Sequence, residues 1–219
     1  MAKTYFSQYI DDVDKIIKEA VHKHDKASIE LEDARKRNER AQANQEYSRD
    51  KKTVEAAAFR EAQAAYRKSV QSLQDEADTA FKSLRLSLAK HIAEYTAADP
   101  EKVDQNTVML LNSGVMRDTD LVSMANKYWN NPTMLKLIAG EAEKNLTDSK
   151  TARYLAVKIA EYISPNTRLS VFDNTVSIAM RTIADDGHRA GVFQKMWNEE
   201  FYPSAKANMA ALDGFNMEV

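Results

Sequence analysis

An all-α fold, built as a long antiparallel helical hairpin or coiled-coil arm followed by a compact bundle of short helices, is predicted by three observations. Residues 1–99 contain neither glycine nor proline, whereas Gly114, Gly140, Gly187, Gly191 and Gly214 and Pro100, Pro132, Pro165 and Pro203 all come later. Ala, Glu, Lys, Gln and Arg fill the breaker-free stretch, which argues for long helix, since glycine and proline are the strongest helix breakers. Its apolar residues recur at helical spacing, and beyond it shorter amphipathic segments are separated by cap-and-proline signals. The boundary falls at Ala98–Asp99, giving an arm over 1–98 and a small all-helical domain over 99–219.

Within the arm, Ile10, Val13, Ile17, Ala20, His24, Ala27, Leu31 and Ala34 step alternately by three and four. That heptad spacing keeps one seam against a left-handed partner helix. From Phe59 the step becomes three, four, four through Ala62, Tyr66, Val70, Leu73, Ala77, Phe81, Leu84, Leu88, Ile92 and Tyr95, a repeat that runs nearly straight. Between them, Arg35–Lys52 loses the seam, its core-phase positions being Asn38, Ala41, Gln45 and Ser48. Two readings are open. A continuous rod would span about 145 Å at 1.5 Å per residue. A reversal near Asn44 would set Ile10 level with Ala77 and carry Tyr5, Phe6 and Tyr9 toward Phe81 and Leu84. Ordinary helix lengths favour the reversal; the lack of glycine, proline or Asn-Gly at the turn favours the rod.

Asp99-Pro100 is a helix start, with an aspartate to accept free amides and a proline at the first position. It opens a helix from Pro100 to Asn112 that stops near Gly114 as a left-handed cap. Asp118 or Asp120 starts the next, and Asn131-Pro132 repeats the device for a helix carrying Leu135, Ile138 and Ala142. Thr147 or Asp148 opens Ala152–Ile163, whose Ala152, Leu155, Ala156, Ile159 and Ile163 make an amphipathic stripe. Pro165 ends it. Val171–Ala184 reads as helix although its β-branched run makes a strand tempting over Leu169–Ile178. Val192–Phe201 is another helix, Pro203 starts a last one, and Asp213-Gly214 closes it.

At 219 residues the chain suits one or two domains, and 43% apolar with 29% charged residues is a profile shifted toward surface charge. The longest aliphatic run, Val108–Leu111, is too short for a bilayer, and the start lacks a basic region followed by an apolar stretch, so neither membrane anchor nor secretion signal is expected. Zero cysteines exclude disulfides, thiol catalysis and thiolate zinc sites, and accord with a cytoplasmic setting.

Net charge is −2, which predicts no general attraction to nucleic acid. Locally, Met1–Ala34 carries five Lys against eight acids, whereas Arg35–Lys52 carries Arg35, Lys36, Arg37, Arg40, Arg49, Lys51 and Lys52 against three acids. This basic patch is a candidate contact for an acidic partner. A solvated hairpin tip explains it as well, because Tyr47 is its only aromatic.

Enzyme signals are sparse. Phosphate loops, HExxH and GxSxG are absent, and the glycines are too few to build them. His22 and His24 point about 200° apart on a helix and cannot share a metal within one chain; a polar His24 in the seam can instead fix register. Asp185-Asp186-Gly187-His188 joins two carboxylates, a glycine and an imidazole, which is also ordinary turn chemistry. Trp129 and Trp197, each near a proline, read as core plugs rather than pocket walls, and Met109, Met116, Met124, Met134 and Met180 as gap fillers or an adaptable docking surface.

A breaker-free, charged, two-period arm (Tyr5–Tyr95) followed by a cluster of short helices (Pro100–Leu212), without cysteine or catalytic motif, resembles the helical structural and scaffolding proteins of tailed bacteriophages. The resemblance implies a virion-assembly role in the host cytoplasm or virion. Many such scaffolds end in a basic hook that grips the coat protein; Ala190–Val219 is not such a hook, so no residue role is carried over.

The expectation is therefore a non-enzymatic assembly protein with no cofactor or metal. It associates with itself, and with another protein, through a seam of Ile10, Val13, Ile17, Leu31, Phe59, Tyr66, Val70, Leu73, Phe81, Leu84, Leu88 and Ile92. The alternative is a nucleic-acid or acidic-partner binding module using the basic stretch.

Overall fold

The computed structural model describes residues 6–144, 149–184, 194–215 and 217, and among these there is no strand. The breaker-free stretch becomes two helices, α1 (Gln8–Ala43) and α2 (Arg49–Thr96), which form a long hairpin. No described residue other than a glycine has a positive φ, so the reversal uses side-chain acceptors instead of glycine. Asn44 Oδ1 accepts from Glu46 N at 2.9 Å, and Ser48 Oγ accepts from Lys51 N at 3.3 Å where α2 begins. Gln42 and Lys52 then tie the helix ends together: Gln42 Nε2 donates to Lys52 O at 3.0 Å and Lys52 Nζ donates to Gln42 O at 3.3 Å. Asx and Ser-cap turns of this kind need no special backbone conformation.

The loop consumes Asn44–Ser48 and so shifts the register from the one expected. Ala77 lies level with Ala20 and Lys23, and Lys23 pairs with Glu76 at 2.9 Å. The Phe6 ring meets His91 at 4.6 Å and Tyr95 at 5.4 Å instead of Phe81 and Leu84.

After α2, a 3-10 turn (Pro100–Lys102) precedes α3 (Gln105–Asn112), α4 (Asp118–Lys127), α5 (Pro132–Lys144), α6 (Lys150–Ile163) and α7 (Pro165–Ala184). A π-helical turn (Trp197–Phe201) leads into α8 (Tyr202–Ala211). The single helix expected over Pro100–Asn112 is divided because Asp104 caps a new one, its carboxylate accepting from Asn106 N and Thr107 N. Gly114 adopts the expected left-handed φ of 71°. Ser149 caps α6 by accepting from Ala152 N at 3.2 Å; Thr147 and Asp148 lie outside the described residues. Leu169–Ile178 is helical, within α7. Pro203 falls in the first turn of α8 rather than starting it.

The contacts divide the chain into two units, one of residues 1–10, 85–173 and 204–219 and the other of 11–84 and 174–203, so each draws on both sides of Asp99. The first is centred on α5 and α6, where Leu135, Ile138, Ala142, Ala152, Leu155 and Ile159 are all fully buried. The predicted stripe of α6 is thus the core, with Ile163 at its margin. Asn126 bonds both Met217 O (2.8 Å) and Met217 N (2.9 Å).

The same unit gathers several helix ends around Arg168, which is fully buried. Its guanidinium donates through Nη1 to Tyr162 O, through Nη2 to Leu212 O at 2.7 Å, and lies over the rings of Phe6, Tyr162 and Tyr95 at 4.6, 5.0 and 5.5 Å. The two acceptors are carbonyls at or just beyond helix C-termini, where the backbone dipole favours a cation. Asp213 caps the start of α1, accepting from Phe6 N at 2.7 Å and Ser7 N at 3.1 Å.

His91 stacks against Phe6 and Tyr9, and burial holds its pKa below the ordinary 6.5; Glu94 and Asp213 oppose that shift and Arg168 adds to it. The unfolded imidazole therefore takes up its proton first as pH falls. The stability contribution is complete above 6.5 and is lost below it, toward the folded pKa. The midpoint of urea unfolding should fall more between about pH 7.5 and about pH 5 in the native protein than in His91→Phe. Equal falls would contradict this assignment.

The second unit holds the rest of the hairpin. Val13, Ile17, Ala20, Leu73, Ala77 and Phe81 are buried, and so are Thr175, Ala179, Ile183 and Trp197. Trp197 Nε1 donates to Asp14 Oδ1 at 3.0 Å while Lys18 binds the other oxygen at 2.6 Å, and Tyr202 OH donates to Asp11 Oδ1 at 2.9 Å. Trp197 is thus the core plug that its sequence setting suggested; Trp129 is half-buried.

Candidate interaction surfaces

The predicted seam is covered unevenly. Ile10, Val13, Ile17, Leu73, Phe81, Leu88 and Ile92 are buried. Leu31, Phe59, Tyr66, Val70 and Leu84 are half-buried. The change occurs partway along the hairpin. His24 is the last large buried side chain of α1, its Nε2 2.8 Å from Tyr66 OH and its ring edge-on to that phenol. This bond gives the polar seam residue a partner within the chain. Farther out α1 buries only Ala34 and Ala41, and α2 buries nothing between Arg49 and Ser72. The residues explain the difference: the outer half opposes alanines and polar groups, and two helices without a third layer cannot enclose large side chains. Ile29 and Val54 stand 63% and 65% exposed on this outer half.

The basic stretch forms the hairpin tip, the last turns of α1 and the first of α2. Its seven cations differ in their commitments. Arg35 is held by Glu32 at 2.9 Å and reaches Glu39 at 3.7 Å, Lys36 shares Glu32 at 3.6 Å, and Lys51 lies 3.7 Å over the Tyr47 ring. Lys52 is occupied with Gln42 O. Arg37, Arg40 and Arg49 are exposed and have no ion-pair partner among the described residues. On the acidic side of α1, exposed Glu19, Glu30 and Asp33 likewise have none among them. The sequence showed the cations together; which of them are already paired depends on rotamers that spacing does not fix.

A second exposed apolar corner lies where α3 meets α4, with Met109 and Val115 each 72% exposed and Leu110 beside them. A hollow of about 670 Å³ lies beside α6, bordered by Tyr154, Lys158, Glu161, Leu212 and Phe215. Its charged groups, Lys158 and Glu161, face each other at 3.9 Å and offer no nucleophile with a base. Among the described residues no three His, Asp or Glu side chains gather as a metal site. The Asp185–His188 tetrad lies outside them. Among them, too, no helix is long and apolar enough to cross a membrane.

Comparison with protein-family models, with curated proteins and with solved structures finds no match for this chain.

Proposed function

We propose that this chain is a non-enzymatic assembly protein that associates with further copies of itself through the outer half of its helical arm, in the manner of a virion-assembly or scaffolding component. The reading rests on one observation: beyond His24 the hairpin buries no large side chain of its own, yet it carries Ile29, Leu31, Val54, Phe59, Tyr66 and Val70 exposed or half-exposed. Full burial of such a side chain stabilises by about 1.5–3 kcal/mol relative to exposure, so covering several of them favours association by several kcal/mol before its entropic cost. The corner at Met109, Leu110 and Val115 supplies a second contact for another protein.

Hydrogen exchange at low and high protein concentration tests the reading. Amides of residues 27–72 should exchange at least about ten-fold more slowly at the higher concentration while those of 132–163 stay unchanged. Concentration-independent exchange of the outer arm would refute it.

The second reading, an acidic or nucleic-acid partner at the tip, is favoured by Arg37, Arg40 and Arg49, which have no ion-pair partner among the described residues. It requires binding to a DNA or RNA duplex that weakens steeply with salt.

A further inference from the structure

The outer face of α1 carries a charge order that reads the same from a second, reversed copy. Glu30 and Asp33 are three residues apart, as are Arg37 and Arg40, and the acids precede the arginines. At about 100° per residue the four side chains fall within about 80° of one another around the helix, on one face. All four are exposed, and none has an ion-pair partner among the described residues. Ile29, 63% exposed, sits one turn before Asp33 on the same side.

Two copies of this helix laid antiparallel about a two-fold axis level with Arg35 set Arg37 opposite Asp33 of the second copy and Arg40 opposite its Glu30. By symmetry the reciprocal pairs form at the same time. Self-complementarity of this kind is what an isologous interface requires. A parallel arrangement sets acid against acid and arginine against arginine. Resting on the self-association reading above, we propose that the arm's partner is a second copy of this chain, bound antiparallel along the 29–40 face of α1, with Ile29 as the apolar contact and the Glu30/Asp33–Arg37/Arg40 pairs setting direction and register.

Exposed ion pairs contribute little singly, but direction is set by the difference between four attractive and four repulsive juxtapositions. Charge therefore chooses the arrangement.

The test is a charge exchange on the full-length protein, followed by sedimentation equilibrium at low and high salt. Arg37→Glu/Arg40→Glu and Glu30→Arg/Asp33→Arg should each weaken association by about ten-fold or more, since each replaces attraction with repulsion at four places. An equimolar mixture of the two should associate about as well as the native protein, and native association should weaken with added salt. The altered positions are all exposed, and circular dichroism on each variant verifies that it folds; recovery in the mixture also requires both to be folded.

Unchanged association of either variant, or no recovery on mixing folded variants, overturns the proposed face while leaving self-association itself standing. A native protein that stays monomeric overturns both. Salt-sensitive binding of a monomer to a 20-base-pair duplex that is lost in Arg37→Glu/Arg40→Glu gives the face to nucleic acid instead.

Discussion

Replacing Arg168 with alanine is expected to destabilise the unit that contains it by about 3–5 kcal/mol. The estimate has two parts. Tyr162 O and Leu212 O lose their guanidinium donors, each at about 1–3 kcal/mol when no water replaces the donor. The rings of Phe6, Tyr95 and Tyr162 lose the plane between them, leaving a cavity. Against this stands relief of a buried charge: burial lowers the Arg168 pKa from the ordinary arginine range, with Tyr162, Tyr95 and Asp213 opposing the shift. The ring faces and helix-end carbonyls offset that cost, so removal is a net loss. Arg168→Lys should recover only part of it, because an ammonium lacks the flat fork that reaches two carbonyls while stacking. Trp129 belongs to the same unit and Trp197 to the other. Trp129 fluorescence in a Trp197→Phe background therefore reports this unit's urea midpoint. A loss below about 1 kcal/mol would mean that Arg168 is dispensable.

Trp197→Ala is expected to cost about 3–5 kcal/mol in the other unit. The indole is 1% exposed and donates to the nearly buried carboxylate of Asp14 on α1. Trp197→Phe separates these effects, keeping most of the volume and losing the donor to Asp14, for about 1–2 kcal/mol, since Lys18 still binds the other oxygen. Far-UV circular dichroism follows the unfolding, because the long helices dominate that signal. If the phenylalanine variant proved as unstable as the alanine variant, the hydrogen bond and not the packing would hold this site.

Much of the architecture was legible because helix breakers are a local property. The absence of glycine and proline before Asp99, and the cap signals after it, need no tertiary context: α4 and α5 begin at Asp118 and Pro132 where those signals place them, whereas Asp104 rather than Pro100 opens α3 and Pro203 lies inside α8. The hairpin was less legible. Its turn is made by Asn44 and Ser48 within a run of charges, and the cap signal of Ser48 with Asp50 in the first turn is visible only once a break is suspected. A five-residue loop then moved the register, which sent Phe6 to His91 and Tyr95.

The arginine clasp was illegible. Arg168 sits in a polar-looking run (NTRLS), and nothing in spacing announces that α6 and α8 end at the same place. The division of the hairpin into a packed part and an open part was also hidden. Phe59, Tyr66, Val70 and Leu73 share one period, yet only Leu73 is buried. Apolar periodicity says which face is buried if something covers it, and is silent on whether anything in the same chain does.

That open half carries the functional reading, and the mass of the native chain in solution tests it most directly. Sedimentation equilibrium over a range of micromolar concentrations should give a mass rising from 24.8 kDa toward twice that value. A mass that stays at 24.8 kDa throughout would contradict an arm covered by its own kind.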